Sequence, residues 1–177
     1  KDQTGNTTIT LENNPALQRD GMNLVRTSKQ RAILGTLNGF GETFTIGMWF
    51  NLHSASNWQQ LFLLSTPNPT DGGTAGHTLS QPSSPGDTLK TWEPDSQIEF
   101  TNTYNEWHYY VYIMDKQTNK QTIYFDGVKV GENTPAVWWA SGDYTLNTLG
   151  SNTVASNKEW IDGQIKSFTI WDKALTP

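Results

Sequence analysis

Apolar and polar side chains alternate along most of this chain. In Phe44-Thr45-Ile46-Gly47-Met48-Trp49-Phe50, the residues Phe44, Ile46, Met48 and Phe50 fall on one face. That period of two is what a half-buried strand requires. Residues 107–114 alternate in the same way, with Trp107, Tyr109, Val111 and Ile113 set against His108, Tyr110, Tyr112 and Met114. Ile123 and Phe125 share a face within 121–125, as do Phe168 and Ile170 within 166–171. Shorter strands are expected near 7–11, 32–34, 61–64, 97–100 and 144–149. No window carries a helical period, and 57–64 holds one helical turn at most.

Turn residues punctuate these runs. Lys116-Gln117-Thr118-Asn119-Lys120 joins two strong strands as a hairpin connection. Asp126-Gly127 is a tight-turn dipeptide, followed by a short return strand at 128–130. The longest irregular stretch, about 66–95, carries five of the 8 prolines. Short pairings near 76–80 and 88–92 fit within it. There is no internal repeat, so residues 1–177 are expected to form a single domain.

Composition sharpens the picture. Hydrophobic residues make up only 34% of the 177 positions, but aromatics reach 12%, with 8 Trp. Large rings supply the apolar area that a small aliphatic count would leave short. Cysteine is absent, which excludes disulfides and thiolate metal sites. The net charge is -5 with 12 Lys plus Arg, and no basic run exceeds two residues. Nucleic-acid binding lacks its electrostatic footprint, and no apolar stretch reaches membrane-spanning length. The start at Lys1 rather than Met suggests a piece of a larger multidomain protein or assembly.

Three segments, in order, resemble the laminin-G-like (concanavalin A-like) family. Phe44-Thr45-Ile46 leading to Trp49 is similar to that family's "FTIS-x-W" strand. Trp107-His108, followed by Ile123-Tyr124-Phe125-Asp126-Gly127, resembles its "W-H … L-Y-V-D-G" pair. Leu149-Gly150, then Gly163-Gln164-Ile165, Phe168, Ile170-Trp171 and Ala174-Leu175, resembles its closing strand. The resemblance implies an all-β, two-sheet antiparallel jelly-roll β-sandwich. It also implies binding of glycans, proteins or lipids, often with a calcium ion at the sandwich edge. One departure stands out: acidic residues often follow the Ile of the closing strand, and here Lys166 and Ser167 take their places.

Catalysis finds no support in the sequence. Glycoside hydrolysis needs two carboxylates flanking one bond, and the strand-borne E-x-D-x-x-E pattern of laminarinase-like relatives does not occur. Glu93 and Asp95 are separated by Pro94, which argues for a loop. His53, His77 and His108 form no evident catalytic set.

Binding is the better expectation. Sugars stack their C–H faces on aromatic rings and present hydroxyls to polar neighbours. Among loop residues the candidates are Trp138 and Trp139 with Asp143, Trp92, Trp58, and Trp160 with Asn157. Any of these rings can instead cap an end of the sandwich. A second candidate surface follows from strand phase: Trp49, Tyr124 and Trp171, joined by Tyr110 and Tyr112, on the outer face of one sheet. A structural calcium would draw on Asp20 together with Asp162 or Asp172 if the terminal strands pair. These features lead to a non-catalytic binding or adhesion module, recognising carbohydrate on a secreted, cell-surface or virion-surface protein. The alternative is a structural, decoration or receptor-binding domain of a virion or surface assembly.

Overall fold

The computed structural model describes residues 7–40, 42–56, 58–65, 76–81, 86–91, 97–135, 142–144, 146–152 and 159–176. Its strands are β1 (Ile9–Glu12), β2 (Ala16–Gln18), β3 (Gly21–Leu24), β4 (Arg31–Leu34), β5 (Leu37–Phe40), β6 (Phe44–Leu52), β7 (Gln60–Ser65) and β8 (Gly76–Ser80), then β9 (Thr88–Thr91), β10 (Glu99–Thr101), β11 (His108–Asp115), β12 (Lys120–Phe125), β13 (Val128–Asn133), β14 (Gly142–Tyr144), β15 (Leu146–Leu149) and β16 (Gly163–Trp171). One 3-10 turn, Arg26–Ser28, is the helical content described.

The strands build two antiparallel seven-stranded sheets, stacked as a jelly-roll sandwich. One runs β1-β4-β15-β7-β8-β9-β10 and the other β13-β12-β11-β6-β16-β3-β2, with β14 and β5 paired beside them. The stretch expected to be irregular contains β8 and β9, which extend the first sheet beyond β7.

The core lies between the sheets. Phe44, Ile46, Met48, Phe50 and Leu52 of β6 all point into it and are at most 1% exposed. From β11 the inward set is His108, Tyr110, Tyr112 and Met114, each directly across from a core residue of β6. This corrects the sequence expectation for Tyr110 and Tyr112. They are core residues, and the outward rings of β11 belong to the opposite phase. The core also carries polar groups: His77, 1% exposed, has ring nitrogens 3.2 Å from the hydroxyls of both Tyr112 and Tyr144.

The turns account for part of the register. Asp126 and Gly127 take φ of 50° and 80° and connect the pair Phe125↔Val128. Two positive φ values in a two-residue loop match a type I′ hairpin. Asp126 also stitches the neighbouring strand, accepting from Tyr109 N at 2.7 Å and lying 2.8 Å from His108 Nδ1. The His108 ring stacks on Phe125, with centroids 4.8 Å apart. The Trp-His and Tyr-Phe-Asp-Gly segments therefore meet in space as one structural joint. In β16, Ile165, Phe168 and Ile170 all reach the core side, a spacing that needs one extra residue. A bulge between Lys166 and Thr169 supplies it, with Ser167 at φ 53°.

Candidate functional site

The outward face of the second sheet carries the first candidate surface. Three neighbouring strands place Tyr109, Trp49 and Lys166 in one row, and Val111, Gly47 and Thr169 in the next. The Trp49 and Tyr109 rings lie 5.1 Å apart, tilted by 35°. Trp49 is 37% exposed, high for so large a ring on a central strand.

Gly47 is the hollow in this surface. A methyl group built there would lie 2.7 Å from the Tyr109 hydroxyl and 2.9 Å from the Trp171 ring. Both rings therefore lean over position 47 and close the second row. The bulge in β16 makes this possible, because it turns Trp171 to the same face as Lys166. Beyond the row, Asn51, Gln164 and Asn23 are paired across β6, β16 and β3.

Lys166 stands between two indoles. Its ammonium nitrogen is 4.0 Å from the Trp107 ring centroid and 5.5 Å from that of Trp49. Both distances are within cation–π range. No carboxylate pairs with it among the described residues. Asp20 precedes Gly21, whose Cα lies against Lys166, yet makes no ion pair with it.

A second candidate lies at one end of the sandwich. Val25, Arg26, Thr27, Ser54, Ala55, Ser56 and Asp162 line a cleft of about 350 Å³. Two buried glutamines fix its walls. Gln59 donates to Ser54 O at 2.7 Å and accepts from Asp162 N at 2.8 Å. Gln81 accepts from Gln59 and from Ser56 N, and donates to Tyr104 at 2.8 Å. Nearby, burial pushes the Glu159 carboxyl up to about 7, while the Arg26 charge pulls it down.

The loop candidates separate on inspection. Trp58 is 38% exposed beside this cleft, held at φ 56°. Trp160 is buried, with the Arg31 guanidinium 5.5 Å from its ring centroid and its carbonyl accepting from Arg26. It caps the sandwich rather than offering a face. Asp143 falls within β14. Trp92, Trp138, Trp139 and Asn157 lie outside the described residues.

The expected calcium ligands do not converge. Asp162 immediately precedes β16 and Asp172 immediately follows it. Nine strand residues at roughly 3.3 Å each separate them by about 30 Å. Asp20 sits at the end of β3 away from the Leu24↔Gly163 pair that adjoins Asp162. No group of three His, Asp or Glu suited to a metal occurs among the described residues. No helix among them is long and apolar enough to cross a membrane.

Residues 26–177 match a laminin G family model described as the concanavalin A-like lectin/glucanases superfamily. The chain belongs to that superfamily. Similar solved structures are binding domains of botulinum neurotoxins. One is the binding domain of botulinum neurotoxin DC in complex with SialylT, at 18% identity and TM-score 0.73, covering 99% of this chain and 45% of that one. Another is the botulinum neurotoxin serotype C1 binding domain, at 18% identity and TM-score 0.74, covering 99% and 46%. A third, a type C structure described as showing cell entry dependent on two ganglioside molecules, has 19% identity and TM-score 0.75, covering 99% and 45%. The chain thus spans less than half the length of these domains, and at such identities the likeness is one of fold. No curated protein sequence matches it.

Sequence phase identified Trp49, Tyr124 and Trp171 as outward residues but missed Tyr109, Trp107, Gly47 and Lys166. The available signal was Lys166, at a position where the family resemblance implies an acidic residue.

Proposed function

We propose that this chain is a non-catalytic recognition module that binds carbohydrate outside the cell or at a particle surface, as part of a larger protein. One observation carries the reading: the Trp49–Tyr109 row, exposed on the central strands of a sheet and extended by Trp107 and Trp171. A pyranose ring presents a flat C–H face that stacks on indole or phenol rings. Polar side chains at the margin, here Asn51, Gln164 and Lys166, then serve hydroxyls and substituents. Membership of a lectin-containing superfamily supports the reading. So do fold neighbours that are toxin binding domains, some described with sialylated ligands or gangliosides.

A broad glycan array tests it, run with the native chain and with Trp49→Ala. The expected result is selective binding that disappears in a variant of unchanged melting temperature. An array blank for the native chain, or one unchanged by Trp49→Ala and Tyr109→Ala, overturns the proposal.

A further inference from the structure

We infer that the Trp49–Tyr109 platform takes a carboxylate-bearing sugar, with Lys166 as the group that selects the charge. The inference rests on the glycan reading and names the ligand class for that same site.

Three observations carry it. The first is the position of the ammonium. It lies over the Trp107 ring, 4.0 Å from its centroid, and over the Trp49 ring at 5.5 Å, within the aromatic surface itself. The second is that no described carboxylate compensates its positive charge. Lys166 forms no ion pair with a described carboxylate, although Lys90, Lys116, Lys120 and Lys129 each do. A cation–π contact uses the field of the ring and leaves those N–H donors of the ammonium that point away from it available to an acceptor.

The third is that the side chains flanking Trp49 and Lys166 on their own strands carry no charge. The strand neighbours of Trp49 and Lys166 are Asn51, Gln164, Gly47 and Thr169, none of them charged, and the carboxylate that borders the row at Tyr109, Asp126, is already taken up by Tyr109 N and His108 Nδ1. The Lys120–Glu132–Lys129 network belongs to β12 and β13 and is closed on itself. A neutral sugar would satisfy the aromatic faces and leave the ammonium without an anion. A sugar acid satisfies both, with its ring on Trp49 and its carboxylate on Lys166. Half-burial between indoles lowers the local dielectric, so this pair is worth more than an exposed one.

Sialic acids and uronic acids share this chemistry, so the test carries one of each. Calorimetric titration of the native chain uses sialyllactose, a glucuronate-terminated oligosaccharide and neutral lactose. It is repeated with Lys166→Gln and Trp49→Ala, with folding verified by thermal melts. The expected result is binding of one acidic sugar, weakened about tenfold or more by Lys166→Gln and weakened further by raising salt. Trp49→Ala should abolish it, and lactose should bind weakly and equally to native and Lys166→Gln chains. If lactose binds as tightly as the acidic sugars and Lys166→Gln changes nothing, the charge inference fails while the glycan reading stands. If no sugar binds, both fall together.

Discussion

Replacing Gly47 with alanine tests the platform from beneath. Gly47 lies on β6 between Val111 and Thr169, with the Tyr109 hydroxyl and the Trp171 ring closing over it. The added methyl would meet those atoms at 2.7 and 2.9 Å. Comfortable carbon contacts begin near 3.5 Å, so each ring must retreat by roughly 0.6–0.8 Å. Neither ring bends, so both must swing toward solvent. Overpacking of this kind costs about 1–3 kcal/mol. The lower backbone entropy loss of alanine in a strand returns about 0.5–1 kcal/mol. The net loss is centred on about 1 kcal/mol within limits of about 0–2.5 kcal/mol, or roughly 2–4 °C in melting temperature for a chain of this size.

Thermal unfolding followed by circular dichroism reads the loss, and tryptophan emission reports the displaced Trp171 ring. A Trp171→Ala background supplies the internal control. With that ring gone only the Tyr109 contact remains, so the cost of Gly47→Ala should shrink, and the difference is the coupling between the two positions. A Gly47→Ala chain as stable as the native one, with unchanged emission and no coupling to position 171, would refute the closed second row. The continuous aromatic surface would go with it.

Four further outcomes are expected. Asp126→Ala removes the contacts to Tyr109 N and His108 Nδ1 and should lower stability by about 1–3 kcal/mol, read by urea denaturation; a change within error would mean the joint is not structural. Trp160→Ala should cost about 3–5 kcal/mol as a buried ring, whereas Trp58→Ala should leave the melt nearly unchanged; the reverse order would invert the roles assigned to them. Because Glu159 is raised to about 7 by burial, the fold favours its protonated form. Stability should therefore fall as pH rises from about 4.5 to 7, the window in which the folded chain holds the extra proton. Melts between pH 5 and 8 should show less decline for Glu159→Gln than for the native chain, and equal slopes would refute the assignment. Gln81→Leu unties Gln59, Ser56 and Tyr104 at once, so limited proteolysis should cut residues 53–60 faster than in the native chain.

The strands were legible wherever one face is apolar and the other is not. β6 is the clearest case, since Phe44, Ile46, Met48 and Phe50 leave no doubt about the inward phase. β11 shows the limit of that signal. Tyr109, Val111 and Ile113 are as apolar as Tyr110, Tyr112 and Met114, so alternation predicts a strand without saying which side is buried. Only the register against β6 decides it, and register is a pairing of distant segments. β3 escaped because Gly21-Met22-Asn23-Leu24 is short and opens on glycine. Asp20 looked like a partner for Asp162 or Asp172 because pairing of the termini was anticipated; β3 does pair with β16, but the register puts Asp20 at the end of β3 away from Asp162. For the site, a lone lysine in a closing strand carries no periodicity. What marks it is the approach of Trp107 and Trp49, which comes from two other strand segments.

The residues that carry the family resemblance serve both sides of the sheet, Trp49, Trp107 and Trp171 on the platform and the others in the core and its turns. His108 and Asp126 tie β11 to the β12–β13 turn, and Phe44 and Phe50 fill the core. Trp49 and Tyr109 stand beside them, one residue on, facing away. Each side of the sheet therefore constrains the other: the core packing that fixes Met48 and Phe50 also fixes the backbone from which Trp49 projects. A ring held on a central strand loses little freedom when a ligand arrives, which favours affinity without a large ordering cost. Trp58 reaches its exposure differently, from a loop residue at positive φ whose position depends on the buried Gln59 and Gln81 amides. If recognition runs through the sheet face, Gln81→Leu should leave sugar affinity intact while loosening the cleft. If it runs through the cleft, affinity and protease resistance should fall together.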